Sequence, residues 1–162
     1  MSLRHARIGR RRTRSTGQAL VEFALVAPLF FFLLFAIIDF GRYVYYVQVL
    51  NNAAREGARY GIVHGSASLA PSGPPEYPTT SVDLNGDRIR SVVRNYAIGV
   101  IGNTSALTIN LDWVDPNTGL SSDNRRGNTV TVVALYQFRS LIPVVPLPKL
   151  QIEGTSTLVI NH

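Results

Sequence analysis

The sequence of 162 residues contains no cysteine, which excludes a disulfide framework and a thiolate metal site and leaves the redox compartment open. Its three histidines, His5, His64 and His162, are scattered along the chain, so no histidine metal or acid–base cluster is legible. A phosphate-binding glycine loop, a Ser/His/Asp arrangement and a nucleophile motif are missing too. These absences point away from an enzyme and from a bound cofactor. Acidic residues are missing from one region in particular. All ten lie beyond Gly17, whereas Arg4, Arg7, Arg10, Arg11, Arg12 and Arg14 supply six of the sixteen basic residues ahead of it. The net charge of +6 therefore belongs to residues 1–17, a basic leader, and residues 18–162 balance ten cations against ten anions. No aromatic or amide side chain interleaves the leader arginines to read bases, so a nucleic-acid partner is not expected.

What the chain does have is a long apolar run, TGQALVEFALVAPLFFFLLFAII, from Thr16 to Ile38. Between Ala19 and Ile38 it holds fourteen Leu, Ile, Val or Phe residues, each favouring insertion by about 0.3 to 0.6 kcal/mol. Together they outweigh the roughly 2.5 to 3.5 kcal/mol cost of a mid-membrane ion, here the single Glu22 near the edge. Twenty helical residues at about 1.5 Å each span roughly 30 Å, the hydrocarbon thickness of a bilayer. The run predicts a single-pass transmembrane segment over about 19–38. Basic residues directly before such a segment stay in the cytoplasm, which puts the N-terminus inside and the C-terminal part outside the cytoplasmic membrane. An ordinary secretory signal would carry a small-residue cleavage site after the run, but Phe40-Gly41-Arg42-Tyr43 follows instead.

Beyond Ile38 the pattern stays helical. Phe40, Tyr43, Val47, Leu50, Ala54, Ala58 and Ile62 recur at threes and fours with Arg42, Gln48, Asn52, Arg55 and Arg59 between them, and one helix is expected over 18–62. Pro28 removes a backbone donor inside it and should kink or loosen it. Asp39 and Arg42, three apart at the outer membrane edge, read as a solvated pair or an interfacial anchor. Ala53, Gly57 and Gly61 stand at every fourth position, a spacing that allows close backbone approach, either to the chain's own sheet or to another subunit.

Residues 63–81 are rich in Gly, Pro and Ser and read as a linker. A head follows over 82–162. Ile89, Val92, Val93 and Tyr96 share a face of a short amphipathic helix ending near Gly99 or Gly102. Three strands are expected: Leu107 to Trp113, alternating apolar and polar; Thr129–Phe138, apolar on both faces like a central strand; and Gln151–Ile160. The polar residues 115–128 connect the first two as a hairpin with an extended tip. Ile142 to Pro148 is too proline-rich for a ladder and offers an apolar contact patch. The fold class is α+β, with a long helix, a short helix and an antiparallel sheet of about three strands.

Asp83, Asn85 and Asp87 place oxygen ligands at alternate positions, like the start of a calcium loop. Arg88 stands where the usual Gly belongs and Arg94 where the closing carboxylate belongs, so the metal candidate is weak. The competing reading is an Asp/Asn/Gly turn in which Asp87 or Asn85 caps the helix.

The stretches Gly17-Gln18-Ala19-Leu20-Val21-Glu22-Phe23-Ala24-Leu25, Pro28-Leu29, Asp39-Phe40-Gly41-Arg42 and Asn52 to Arg59 resemble the TadE-like family. Its members are membrane components of tight-adherence (Flp-type) pilus systems, related more broadly to type IV pilins and pseudopilins. A weaker likeness runs from Val130 to Tyr136 and through Phe138, Leu141 and Pro143 to the last strand. The resemblance implies a type IV pilin-like fold, cleavage by a prepilin peptidase between Gly17 and Gln18, and partners among other pilins, pseudopilins and pilus assembly proteins. It also implies an assembly role for Glu22 and Pro28, and the Glu22 carboxylate in hydrocarbon must be paired or neutralised. In related pilins the amine of a neighbouring subunit is thought to serve; a Glu22 resting at headgroup level is the plainer reading. Gln18 stands where the best-known type IV pilins have Phe, and Phe23 where Flp major pilins usually carry Tyr. The head is also larger than that of a short major pilin. These differences point to a minor pilin or pseudopilin in a pilus or secretion apparatus. The alternative is an uncleaved single-pass anchor bearing an extracytoplasmic binding or adhesin head.

Overall fold

The computed structural model describes residues 16–76, 83–102, 104–141 and 150–161. Leader residues 1–15 and the proposed contact patch Ile142 to Pro148 lie outside them. One helix, α1, runs unbroken from Thr16 to Val63. Its length follows from the absence of any strong breaker other than Pro28, which sits inside the helix without ending it. A second helix, α2, covers Asp87–Ile101, and a single 3-10 turn covers Thr104–Ala106. Strands β1 (Leu107–Val114), β2 (Thr129–Gln137) and β3 (Gln151–Val159) form one antiparallel sheet in the order β1-β2-β3. This is the expected α+β architecture, with β2 at the centre.

The register pairs Leu107 with Tyr136 and Trp113 with Val130 on one side of β2, and Ile152 with Tyr136 and Leu158 with Val130 on the other. Alternation along β2 turns Val130, Val132, Ala134 and Tyr136 inward, while Thr131, Val133 and Leu135 stay half-buried on the outer face. That outer face carries no second layer among the described residues. The inner face is covered by the second half of α1 and by α2, and the core between them centres on Leu50, Ala54, Ala58, Ile89, Val93, Val132 and Ile152. Each fully buried Leu, Ile or Val here stabilises the head by roughly 1.5 to 3 kcal/mol relative to exposure.

Close approach explains the small residues. A Cβ on Gly57 would meet Val93, one on Gly61 would lie 3.3 Å from Ile89 and Val130, and one on Gly154 would overlap the backbone of Leu50 and Asn51. Strand β3 therefore crosses α1 at van der Waals distance, and α2 nests at Gly57. The seating at Gly57 turns Ile89, Val93, Ala97 and Ile101 inward and leaves Tyr96, expected on that face, half exposed.

The described part of the stretch read as a linker is packed. Ser72 is buried and forms a parallel bridge with Asp83. Asn124 in the β1–β2 connection is buried with it: its side-chain amide donates to the Ser72 carbonyl at 3.1 Å, and its backbone N–H donates to Pro74 at 2.7 Å. These bonds sew residues 64–76 to the 115–128 connection at the end of the sheet nearest Val63, so this connection is folded down rather than extended. The Asn161 N–H donates to the Ile62 carbonyl and closes that end.

Candidate functional site

The first half of α1 carries the residues with the strongest functional signal, and no described part of the head covers it. Leu20, Phe23, Leu25, Leu29, Phe30 to Leu33 and Ile37 are exposed around the whole circumference. α1 is the one helix among the described residues long and apolar enough to cross a membrane. Water would penalise so large an apolar surface, and patches of this size mark contact with lipid or with other proteins.

Gly17 lies in the first turn of α1 with open space where a Cβ would sit. The Gln18 side-chain amide donates to the Glu22 carboxylate at 3.2 Å along the same helix face. Among the described residues Glu22 thus has one neutral partner and no cation within ion-pair distance. In lipid a neutral amide offsets only part of the cost of a charge, and a further partner would relieve the rest. Pro28 lies six residues further along, within the same continuous helix. The two halves of the candidate region therefore stand apart: Gly17, Gln18, Glu22 and Pro28 on bare helix, Ala53, Gly57 and Gly61 inside the head. Gly57 and Gly61 are occupied by the chain's own α2 and β2 side chains, and Ala53 is fully buried.

Asp39 and Arg42 mark the boundary, and here the structure corrects the expectation of a solvated pair. Asp39 is only 8% exposed. Its carboxylate accepts from the Arg42 guanidinium at 2.8 Å, from the Leu141 backbone N–H at 2.8 Å and from the Ser140 hydroxyl. The segment just beyond β2 is therefore tied to the helix at the place where the apolar run stops. Aromatic rings back the tie. Phe138 meets Tyr43 and Tyr46 edge to face, and the Arg42 guanidinium lies 5.3 Å from the Phe138 ring centre and 5.7 Å from that of Tyr46. The i,i+3 spacing of Asp39 and Arg42 was legible in the sequence, but the hundred-residue reach to Ser140 carried no local signal.

The weak calcium candidate resolves into a helix cap. Asp83 accepts from the N–H of Asp87 at 2.6 Å and of Arg88 at 3.1 Å, and from the buried Ser72 hydroxyl. Burial acts to raise its pKa, but these donors and the nearby Arg88 charge outweigh burial and hold it below the ordinary carboxylate value. Asp87 pairs instead with Arg90, whose guanidinium also binds the Asn85 carbonyl. Gly86 holds the N-cap position with a left-handed φ of 72°, and the side chain that accepts from the first-turn amides is Asp83, not Asp87 or Asn85. Among the described residues no group of three or more His, Cys, Asp or Glu side chains is placed to hold a metal ion.

Comparison with protein families matches residues 17–59 to the model described as TadE-like protein. The matched segment is the bare apolar half of α1 together with most of the half that carries the head. Neither curated proteins nor solved structures give a match.

Proposed function

Proceeding from a TadE-like segment that ends inside the head's own core, we propose that the chain is a membrane-anchored structural component of a tight-adherence pilus or a related secretion apparatus. Its role in this reading is that of a minor pilin or pseudopilin without catalytic activity. The carrying observation is the coincidence of the TadE-like match with an apolar helix half that the head leaves bare. Residues 19–38 sit in the cytoplasmic membrane, the basic leader stays inside, and the head stands outside. A prepilin peptidase cuts after Gly17, freeing an α-amine at Gln18 within reach of the Glu22 of a neighbouring subunit. Glu22 then gains a cationic partner that no described residue of the single chain supplies, and that pairing sets the stagger between subunits.

Intact mass of the chain recovered from membranes of cells that also express a prepilin peptidase tests this. The expected terminus is Gln18; a chain that keeps Met1 or its arginines beside an active peptidase overturns processing. Glu22→Ala is expected to leave insertion and cleavage intact and to abolish co-purification with pilus subunits, and normal co-purification of that variant contradicts the pairing role. One observation favours the second reading, an uncleaved anchor with a binding head. The Ala53, Gly57 and Gly61 stripe is consumed within the chain, so it offers no surface to a neighbouring subunit.

A further inference from the structure

Strand β2 descends α1 toward its bare half. Tyr136 meets Tyr46, Phe138 meets Tyr43, and Ser140 and Leu141 bind Asp39. The seven helix steps from 46 to 39 cover about 10 Å, and the chain from Tyr136 to Ser140 descends beside them. At Leu141 the chain stands beside the last residue before the apolar run. Strand β3 begins its return about a turn higher, where the Leu150 carbonyl accepts from the Phe138 N–H at 2.9 Å.

This end of the head exposes large apolar groups: Phe40 is 69% exposed, Leu141 54% and Leu150 42%. Arg139 beside them is exposed as well. The patch is continuous along the helix with the apolar span, so whatever solvates residues 19–38 reaches it first. We propose that this end of the sheet is a second membrane contact. Leu141, with Phe40 and Leu150, enters the headgroup zone of the leaflet facing the head, Arg139 extends toward lipid phosphates, and the Asp39 tie holds the patch at that depth. The proposal rests on the membrane-anchor reading above. Its consequence is a head seated on the bilayer at a fixed tilt rather than swinging on its helix.

The absence of cysteine makes the test direct. Single-cysteine chains Phe31→Cys, Leu120→Cys, Leu141→Cys and Leu150→Cys are labelled with an environment-sensitive fluorophore and reconstituted, full length, in vesicles of phosphatidylcholine and phosphatidylglycerol. Quenching is read with phosphatidylcholine brominated either near the headgroup or deep in the acyl chain. The expected result is deep quenching at Phe31, none at Leu120 in the far connection, and about twofold loss of emission at Leu141 and Leu150 with shallow bromine only, since interfacial groups sit about 5 to 10 Å deep. Adding Asp39→Ala to Leu141→Cys should return its emission toward the Leu120 level without changing Phe31. Labels at Leu141 and Leu150 as unquenched as Leu120, with Phe31 quenched, overturn the second contact and leave the anchor standing. An unquenched Phe31 overturns the anchor and the contact together. Quenching at Leu141 that survives Asp39→Ala removes the tie from the account.

Discussion

Between Leu20 and Ile38 the long helix presents leucine, valine, isoleucine and phenylalanine on every side. Between Leu50 and Gly61 it turns alanine and glycine toward the sheet and Arg55, Glu56 and Arg59 toward solvent. The same backbone is thus prepared for two surroundings. Bulky side chains all round suit a medium that is itself apolar, where no face needs to be distinguished. Small side chains on one face suit a rigid partner at close range, and here the partner is the chain's own α2 and β2. The difference teaches that helical periodicity becomes readable only where one face meets water. Between Phe23 and Ile38 the apolar positions have no period because no side chain there is polar.

If the two halves are solvated independently, substitutions in one should leave the other untouched. The largest effect is expected at Leu50, which is fully buried. Leu50→Ala should destabilise the head by about 2 to 5 kcal/mol. Denaturant unfolding followed through Trp113, the single and buried tryptophan, reads this directly, and Leu25→Ala in the bare half should not shift that midpoint. Next comes Leu29→Arg, near the middle of the apolar run, which should oppose membrane insertion by about 2.5 to 3.5 kcal/mol. The membrane-bound fraction should fall while head stability in detergent stays at the wild-type value. At the boundary, Asp39→Ala leaves the Ser140 and Leu141 donors and Arg42 without their shared acceptor. It should cost about 1 to 3 kcal/mol, seen as faster hydrogen exchange at Leu141 before any change in the rest of the sheet.

The smallest effect lies at Asp83. Asp83→Asn weakens the cap of α2, and loss of such a cap typically costs about 1 kcal/mol. Because the folded pKa of Asp83 lies below its unfolded value, its stabilisation is complete above the ordinary carboxylate range and is lost as pH falls through the lowered folded value. Acid titration of head stability should accordingly show a shallower loss below the ordinary carboxylate range in Asp83→Asn than in the wild type. An unchanged acid limb would mean that the cap carries no charge-dependent stability.

Both helices and all three strands were legible in the sequence to within two or three residues, because each has either a clear period or a bounded apolar run. On α2 the expected Ile89 and Val93 are buried, but the face continues to Ala97 and Ile101 rather than Val92 and Tyr96, since the close fit of Val93 on Gly57 is a tertiary fact that periodicity does not contain. The small-residue stripe was legible as a packing surface but not as to its partner, because its spacing suits a neighbouring sheet and a neighbouring subunit equally. Asp83 as the cap, Asp39 as the tie and Asn124 as the link between two connections were not legible. Each depends on a partner brought near by the fold, across 11, 101 and 52 residues. In the candidate site, Glu22 and Gln18 stood out from sequence because a lone acid in an apolar run is conspicuous. The wider role of Asp39 did not, because its nearest neighbour in sequence, Arg42, already seemed to account for it.

The most direct test of the two-surroundings account is amide hydrogen exchange on the full chain in lipid nanodiscs, followed through increasing urea. The account predicts that amides of residues 20–38 stay protected after the head has unfolded, while those of residues 43–63 lose protection together with β2 and β3. Loss of protection in both halves at the same urea concentration would contradict it.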